Sequence, residues 1–152
     1  VRAGTENTAY WVGLGEACRL LTTEGDVHLH QLREMRDLLY AKLSAAIPGL
    51  TVNGMYTDRQ LDACYRLPNT LSANFPNVVG TDLLTATPSV CASTGAACHS
   101  GETKISATLK GIGLDPKTAQ GTVRLSVGRM TTFEEIERGA DDLIASWKAM
   151  TA

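Results

Sequence analysis

Thr122-Val123-Arg124-Leu125-Ser126-Val127 alternates polar and apolar residues without a break, and so does Thr70-Leu71-Ser72-Ala73-Asn74-Phe75. Successive side chains of a strand point to opposite faces. Val123, Leu125 and Val127 therefore share one face, and Arg124 and Ser126 the other. Leu71, Ala73 and Phe75 likewise oppose Thr70, Ser72 and Asn74. Both stretches read as half-buried strands, free of Gly and Pro. A strand that is apolar on one side needs something to cover it.

The cover comes from helices. A cluster of cap-type residues, Thr5-Glu6-Asn7-Thr8, precedes Leu14, Ala17, Cys18 and Leu21 at helical spacing. This predicts a helix over 8–23, with Gly25-Asp26 as punctuation. Leu29, Leu32, Met35, Leu39, Leu43 and Ala46 mark one face of a second helix over 27–46, stopped by Pro48-Gly49. At the other end, Thr131 with Glu134, or Thr132 with Glu135, forms a capping box. Ile136, Ala140, Leu143, Ile144 and Trp147 then stripe a C-terminal helix. Smaller pieces lie between: a strand at Leu50-Thr51-Val52, an extended fragment near Cys64–Leu67, a short helix at Asp82–Ala86 and a strand at Ser89–Ala92. A helix through Leu109 and another opened by Asp115-Pro116 follow. The fold class is α+β, a small and mainly antiparallel sheet with long helices packed on one face. The other sheet face carries Asn74, Arg124 and Ser126. It meets solvent, or lines a cleft shared with something outside this chain.

The chain has 152 residues, 43% of them hydrophobic and 20% charged. That suits a globular domain rather than a disordered one. The formal charge of −2 leaves no basic excess for phosphates, which argues against a nucleic-acid partner. No apolar run approaches the roughly 18–20 residues that cross a bilayer, which argues against a membrane helix. The 4 cysteines are too few and too irregular for a disulfide framework. A reducing compartment, the cytoplasm, is the expected location. The opening Val1-Arg2-Ala3-Gly4 is neither an initiator Met nor a signal peptide and suggests a piece of a longer chain.

Cys98 is the most informative chemical residue. Cys18, Cys64 and Cys91 fall on expected helix or strand positions, where a thiol behaves as a small hydrophobe. Cys98 instead lies in Ser93-Thr94-Gly95-Ala96-Ala97-Cys98-His99-Ser100-Gly101, a loop of small and polar residues. That setting favours the exposure a nucleophilic thiol needs. Arg124 comes second. A guanidinium held on a strand between two core residues is well placed to grip a carboxylate with both nitrogens. Its ordinary alternative is a surface Arg or a structural ion pair, and Arg129 is more ordinary still. His28 and His30 diverge on a helix. No zinc spacing, phosphate loop or nucleophile elbow is present, so no metal site is expected.

Taken together, four segments resemble the C-terminal part of the selenocysteine lyase and cysteine desulfurase family of pyridoxal-phosphate (PLP) enzymes. They are Arg2-Ala3-Gly4-Thr5-Glu6-Asn7-Thr8, Leu67-Pro68-Asn69-Thr70, the Cys98 loop, and Val123-Arg124-Leu125-Ser126-Val127-Gly128-Arg129. The resemblance covers essentially the whole chain. It implies a PLP enzyme that removes selenium or sulfur from selenocysteine or cysteine and leaves alanine. Cys98 matches the loop cysteine that acts at the chalcogen. Arg124 matches the arginine that binds the substrate α-carboxylate. Thr5 matches the threonine that reaches the PLP phosphate of the neighbouring subunit in a homodimer. A selenium or sulfur acceptor protein is the implied partner.

The resemblance also implies a division. Residues 1–24 join a large PLP domain, and 25–152 form the small C-terminal domain. The PLP lysine of the family does not match Lys42, Lys104, Lys110, Lys117 or Lys148, so the piece alone is expected to be inactive. The Cys98 loop and the Arg124 strand look most like selenocysteine lyases; cysteine desulfurase with a Cys98 persulfide is the alternative. A non-catalytic interaction module and a single-Cys sulfur carrier complete the set.

Overall fold

The computed structural model describes residues 4–54, 65–94 and 106–152. One helix dominates. α1 runs from Thr8 to Ala46, 39 residues, capped by Asn7, whose side chain accepts from the Tyr10 N–H. The two helices expected over 8–23 and 27–46 are therefore one. Gly25 costs helix stability, about 1 kcal/mol against Ala, but does not break the backbone as Pro would. A hydrogen bond of 3.0 Å between Glu24 Oε2 and His28 Nε2 also spans the step.

The halves of α1 differ. Met35, Leu39 and Leu43 are buried, followed by Ile47 just past the helix end. Tyr10, Trp11, Leu14, Leu21 and Val27 are exposed. The apolar stripe expected to bury Cys18 thus faces outward, and Cys18 is exposed.

Among the described residues three strands form one antiparallel sheet in the order β1 (Thr51–Val52), β2 (Thr70–Asn74), β3 (Thr122–Ser126). β2 and β3 pair Leu71 with Leu125, Ser72 with Arg124, and Ala73 with Val123. The alternation read from sequence holds: Leu71, Ala73, Val123 and Leu125 are all buried. Asn69 clamps the end of β3, its carbonyl accepting from the Val127 N–H and its Nδ2 donating to the Val127 carbonyl.

Helices close that face. α2 (Gly80–Ala86), α3 (Ala107–Gly111) and α4 (Pro116–Gln120) are short. α5 (Phe133–Thr151) starts at the capping box of Thr132 and Glu135 rather than that of Thr131 and Glu134. Its Ile136, Ala140 and Leu143 enter the core beside α1. Trp147 Nε1 donates to the Pro76 carbonyl at 2.9 Å, tying the helix end to the turn after β2.

Ser89–Ala92 is not a strand. Thr87-Pro88-Ser89-Val90 turns first, with the Val90 N–H on the Thr87 carbonyl, and among the described residues the chain meets the sheet at one bridge, Ser93 with Arg124. Cys91 is accordingly exposed rather than held in a strand. The fragment expected near Cys64–Leu67 includes Cys64, which lies outside the described residues, and 65–67 carry no strand. No helix among the described residues is long and apolar enough to cross a membrane.

Candidate functional site

The face of the sheet away from the helices is polar. Asn53 Nδ2 donates to Asn74 Oδ1, and Asn74 Nδ2 donates back to Asn53 Oδ1, both at 2.9 Å. Thr122 Oγ1 donates to Asn74 Oδ1 at 2.6 Å, and Asn74 Nδ2 reaches Thr51 Oγ1 at 3.0 Å. Asn53 Nδ2 also donates to Ser72 Oγ at 3.0 Å. Asn74 and Thr122 are buried, so this network is a fixed floor rather than a solvated surface.

Arg124 stands on that floor. Its N–H donates to the Ser93 carbonyl at 2.6 Å, and its carbonyl accepts from the Ser93 N–H at 3.2 Å. Ser72 faces it from the other side. Val123 and Leu125, its neighbours in sequence, are buried. The backbone of Arg124 is thus fixed by Ser93 and by its two buried neighbours while its side chain is exposed. Among the described residues no carboxylate pairs with its guanidinium, which leaves it open to an anionic ligand. Arg129 differs. Its Nη2 donates to Glu24 Oε2 at 3.2 Å, which ties the end of β3 to the middle of α1.

Cys98 and His99 lie outside the described residues. Sequence nonetheless links Cys98 to Arg124. It follows Ser93, the bridge partner of Arg124, by only five residues, a stretch that spans at most about 18 Å when fully extended.

Thr5 stands elsewhere. It is exposed and lines a hollow of about 550 Å³ with Gly4, Glu6, Asn7, Tyr10, Trp11 and Leu14. Along α1, Thr8 lies about 24 Å beyond Glu24, the level at which Arg129 touches the helix. The structure does not bring Thr5 and Arg124 of one chain together. Sequence singled out Arg124 but missed the Asn53–Asn74 network and the Ser93 bridge, both of which depend on pairing between distant segments.

The model of the class-V aminotransferase family matches residues 1–138. The chain belongs to that family. Curated members similar to it include a cysteine desulfurase IscS of Ehrlichia chaffeensis, 31% identical over 99% of this chain and 35% of that protein. A cysteine desulfurase of Trichormus azollae is 37% identical over 90% of this chain and 33% of its own length. A solved NifS-like protein superposes with a TM-score of 0.76 at 25% identity, covering 95% of this chain and 34% of that one. This class-V chain therefore spans about a third of the length of the relatives it matches.

Cysteine desulfurases of class V are PLP enzymes. The described residues suit one end of that cofactor. The hydroxyl of Thr5, the N-terminus of the long helix and the open space around Gly4 suit its phosphate. No described lysine suits its aldehyde. Lys42 is engaged with Asp141 and the Glu137 carbonyl, and Lys148 lies in the last turn of α5. Lys110 and Lys117 sit on α3 and α4, and Lys104 lies outside the described residues.

Proposed function

We propose that this chain is the C-terminal part of a PLP-dependent cysteine desulfurase. Residues 1–24 join it to a large cofactor domain, and 25–152 form the small domain. The observation that carries the reading is Arg124, a guanidinium on a rigid strand, over a polar floor, with no carboxylate partner among the described residues. It grips the α-carboxylate of the amino-acid substrate with two parallel hydrogen bonds. PLP, when bound, supplies the electron sink for bond cleavage at the amino acid. Thr5 donates to its phosphate in the neighbouring subunit of a homodimer.

Cys98 takes the sulfur. Its thiolate attacks the sulfur of the bound cysteine, and an S–S bond forms as the bond from sulfur to Cβ breaks. The bonding pair stays on carbon and is protonated, giving alanine. The persulfide left on Cys98 passes to an acceptor protein. Relatives named for cysteine desulfurase favour this reading over selenocysteine, to which the loop and strand motifs first pointed. The outward apolar residues of α1, Trp11, Leu14 and Leu21, support the division into domains. They suit a helix that packs against further protein.

The test uses the full-length, PLP-loaded protein, with alanine, sulfide and selenide measured from equal cysteine and selenocysteine. Alanine with persulfide or sulfide from cysteine is expected; turnover of selenocysteine alone restores the lyase. Arg124→Ala should raise KM for cysteine by about 10–100-fold. An unchanged KM removes the carboxylate role.

A further inference from the structure

We propose that Ser72 is a second ligand for the substrate carboxylate, its hydroxyl donating to the same group that Arg124 grips. The proposal rests on the reading of Arg124 given above.

Both backbone groups of Arg124 go to Ser93, so Arg124 and Ser72 exchange none across β2 and β3. In an antiparallel sheet such a pair is the close one, with Cα atoms about 4.5 Å apart and side chains on the same face. Ser72 is thus the nearest cross-strand neighbour of the guanidinium, on its side of the sheet.

The hydroxyl is also prepared to donate. A serine oxygen carries one proton and two lone pairs. Asn53 Nδ2 occupies a lone pair of Ser72 Oγ at 3.0 Å. Asn53 cannot swing away easily, because its amide is locked to Asn74, and Asn74 is buried and held by Thr122 and Thr51. Among the described residues the Ser72 proton meets no acceptor. Ser72 is only half-buried, on the sheet face that Arg124 also occupies.

A carboxylate has about four acceptor positions, and a bidentate Arg uses two. One of the remainder faces the floor on which the guanidinium stands. The Ser72 hydroxyl fills it by turning its proton to the ligand, with one lone pair already held by Asn53 Nδ2. Ser72 then fixes the tilt of the carboxylate and favours a planar anion over a neutral amide or ester at that end.

The experiment compares Ser72→Ala, Ser72→Thr and Arg124→Ala in the full-length, PLP-loaded protein, reading KM and kcat for cysteine and the melting temperature. Ser72→Ala should raise KM about tenfold while kcat moves less than about twofold. Ser72→Thr should restore most of the loss. L-alanine, which carries the carboxylate, should inhibit Ser72→Ala more weakly than wild type, whereas ethylamine should inhibit both equally. If Ser72→Ala fails to fold, Ser72→Thr against the isosteric Ser72→Val gives the same comparison. A KM for Ser72→Ala close to wild type, with Arg124→Ala strongly raised, overturns the proposal and spares the reading of Arg124. So does a fall of kcat and melting temperature together with no change in KM. An Arg124→Ala protein with unchanged KM overturns both.

Discussion

A guanidinium binds a carboxylate well when the chain that carries it is ordered beforehand. Arg124 meets that condition through Ser93 on one side, Ser72 on the other and two buried neighbours in sequence. The period-2 pattern was enough to place Arg124, Ser72 and Asn74 on one face. It could not show that Ser72 lies opposite Arg124, because register is a contact between residues 52 positions apart, 124 − 72. A different kind of residue-scale effect acts at Asp115. Its carboxylate caps α4, accepting from the Thr118 N–H at 3.0 Å, and that hydrogen bond holds its pKa below the ordinary value of 3.8. The folded pKa is the lower one, so the stabilisation is full above the unfolded pKa and fades as pH falls through the folded value. The melting temperature of Asp115→Ala should fall below wild type at pH 7, and the gap should narrow below about pH 4. A gap that stays constant with pH would remove the charge from this cap.

At the scale of elements, strands and caps were legible and the long helix was not. β2, β3 and the Thr132–Glu135 box follow from local pattern and local hydrogen bonds. α1 was split at Gly25-Asp26 because glycine punctuates sequences, yet a single glycine is a small cost inside a 39-residue helix. Arg36 was hidden for a related reason. It lies at 2% exposure beside the core, its guanidinium on Asp37 and on the Leu67 carbonyl, a partner 31 residues away. Ser89–Ala92 looked like a strand by composition, but the turn at Pro88 delays its approach to the sheet until Ser93. Glycine matters most where α4 meets β2. The Phe75 N–H donates to the Gly121 carbonyl at 2.9 Å, and a Cβ on Gly121 would overlap the Phe75 carbonyl oxygen. The φ of Gly121 is ordinary, −84°, so the constraint is space and not conformation. Gly121→Ala should destabilise the domain by about 1–3 kcal/mol in urea unfolding. A midpoint equal to wild type would mean that the α4–β2 junction yields freely.

Taken whole, the molecule has a closed end and an open end. The closed end is the sheet with α5 and the second half of α1, and its core accounts for the apolar faces read from sequence. The open end is the first half of α1, where Tyr10, Trp11 and Leu14 lie exposed around the hollow that contains Thr5. Sequence patterning could show that this stripe is apolar; it could not show that the sheet leaves it exposed. A chain that spans about a third of its relatives is consistent with both ends. In the proposed reading, Arg124 at one end would meet the substrate and Thr5 at the other the cofactor phosphate. The proposed desulfurase needs a residue tethered near Arg124 to take the sulfur, and Cys98 is the cysteine that follows its bridge partner by five residues. The most direct measurement is peptide mass spectrometry of the full-length, PLP-loaded protein after brief exposure to cysteine, before any reductant. The peptide carrying Cys98 should gain the mass of one sulfur atom and lose it on treatment with a thiol. Alanine formed with that peptide unmodified, or with the added sulfur on Cys18 or Cys91 instead, would contradict the account.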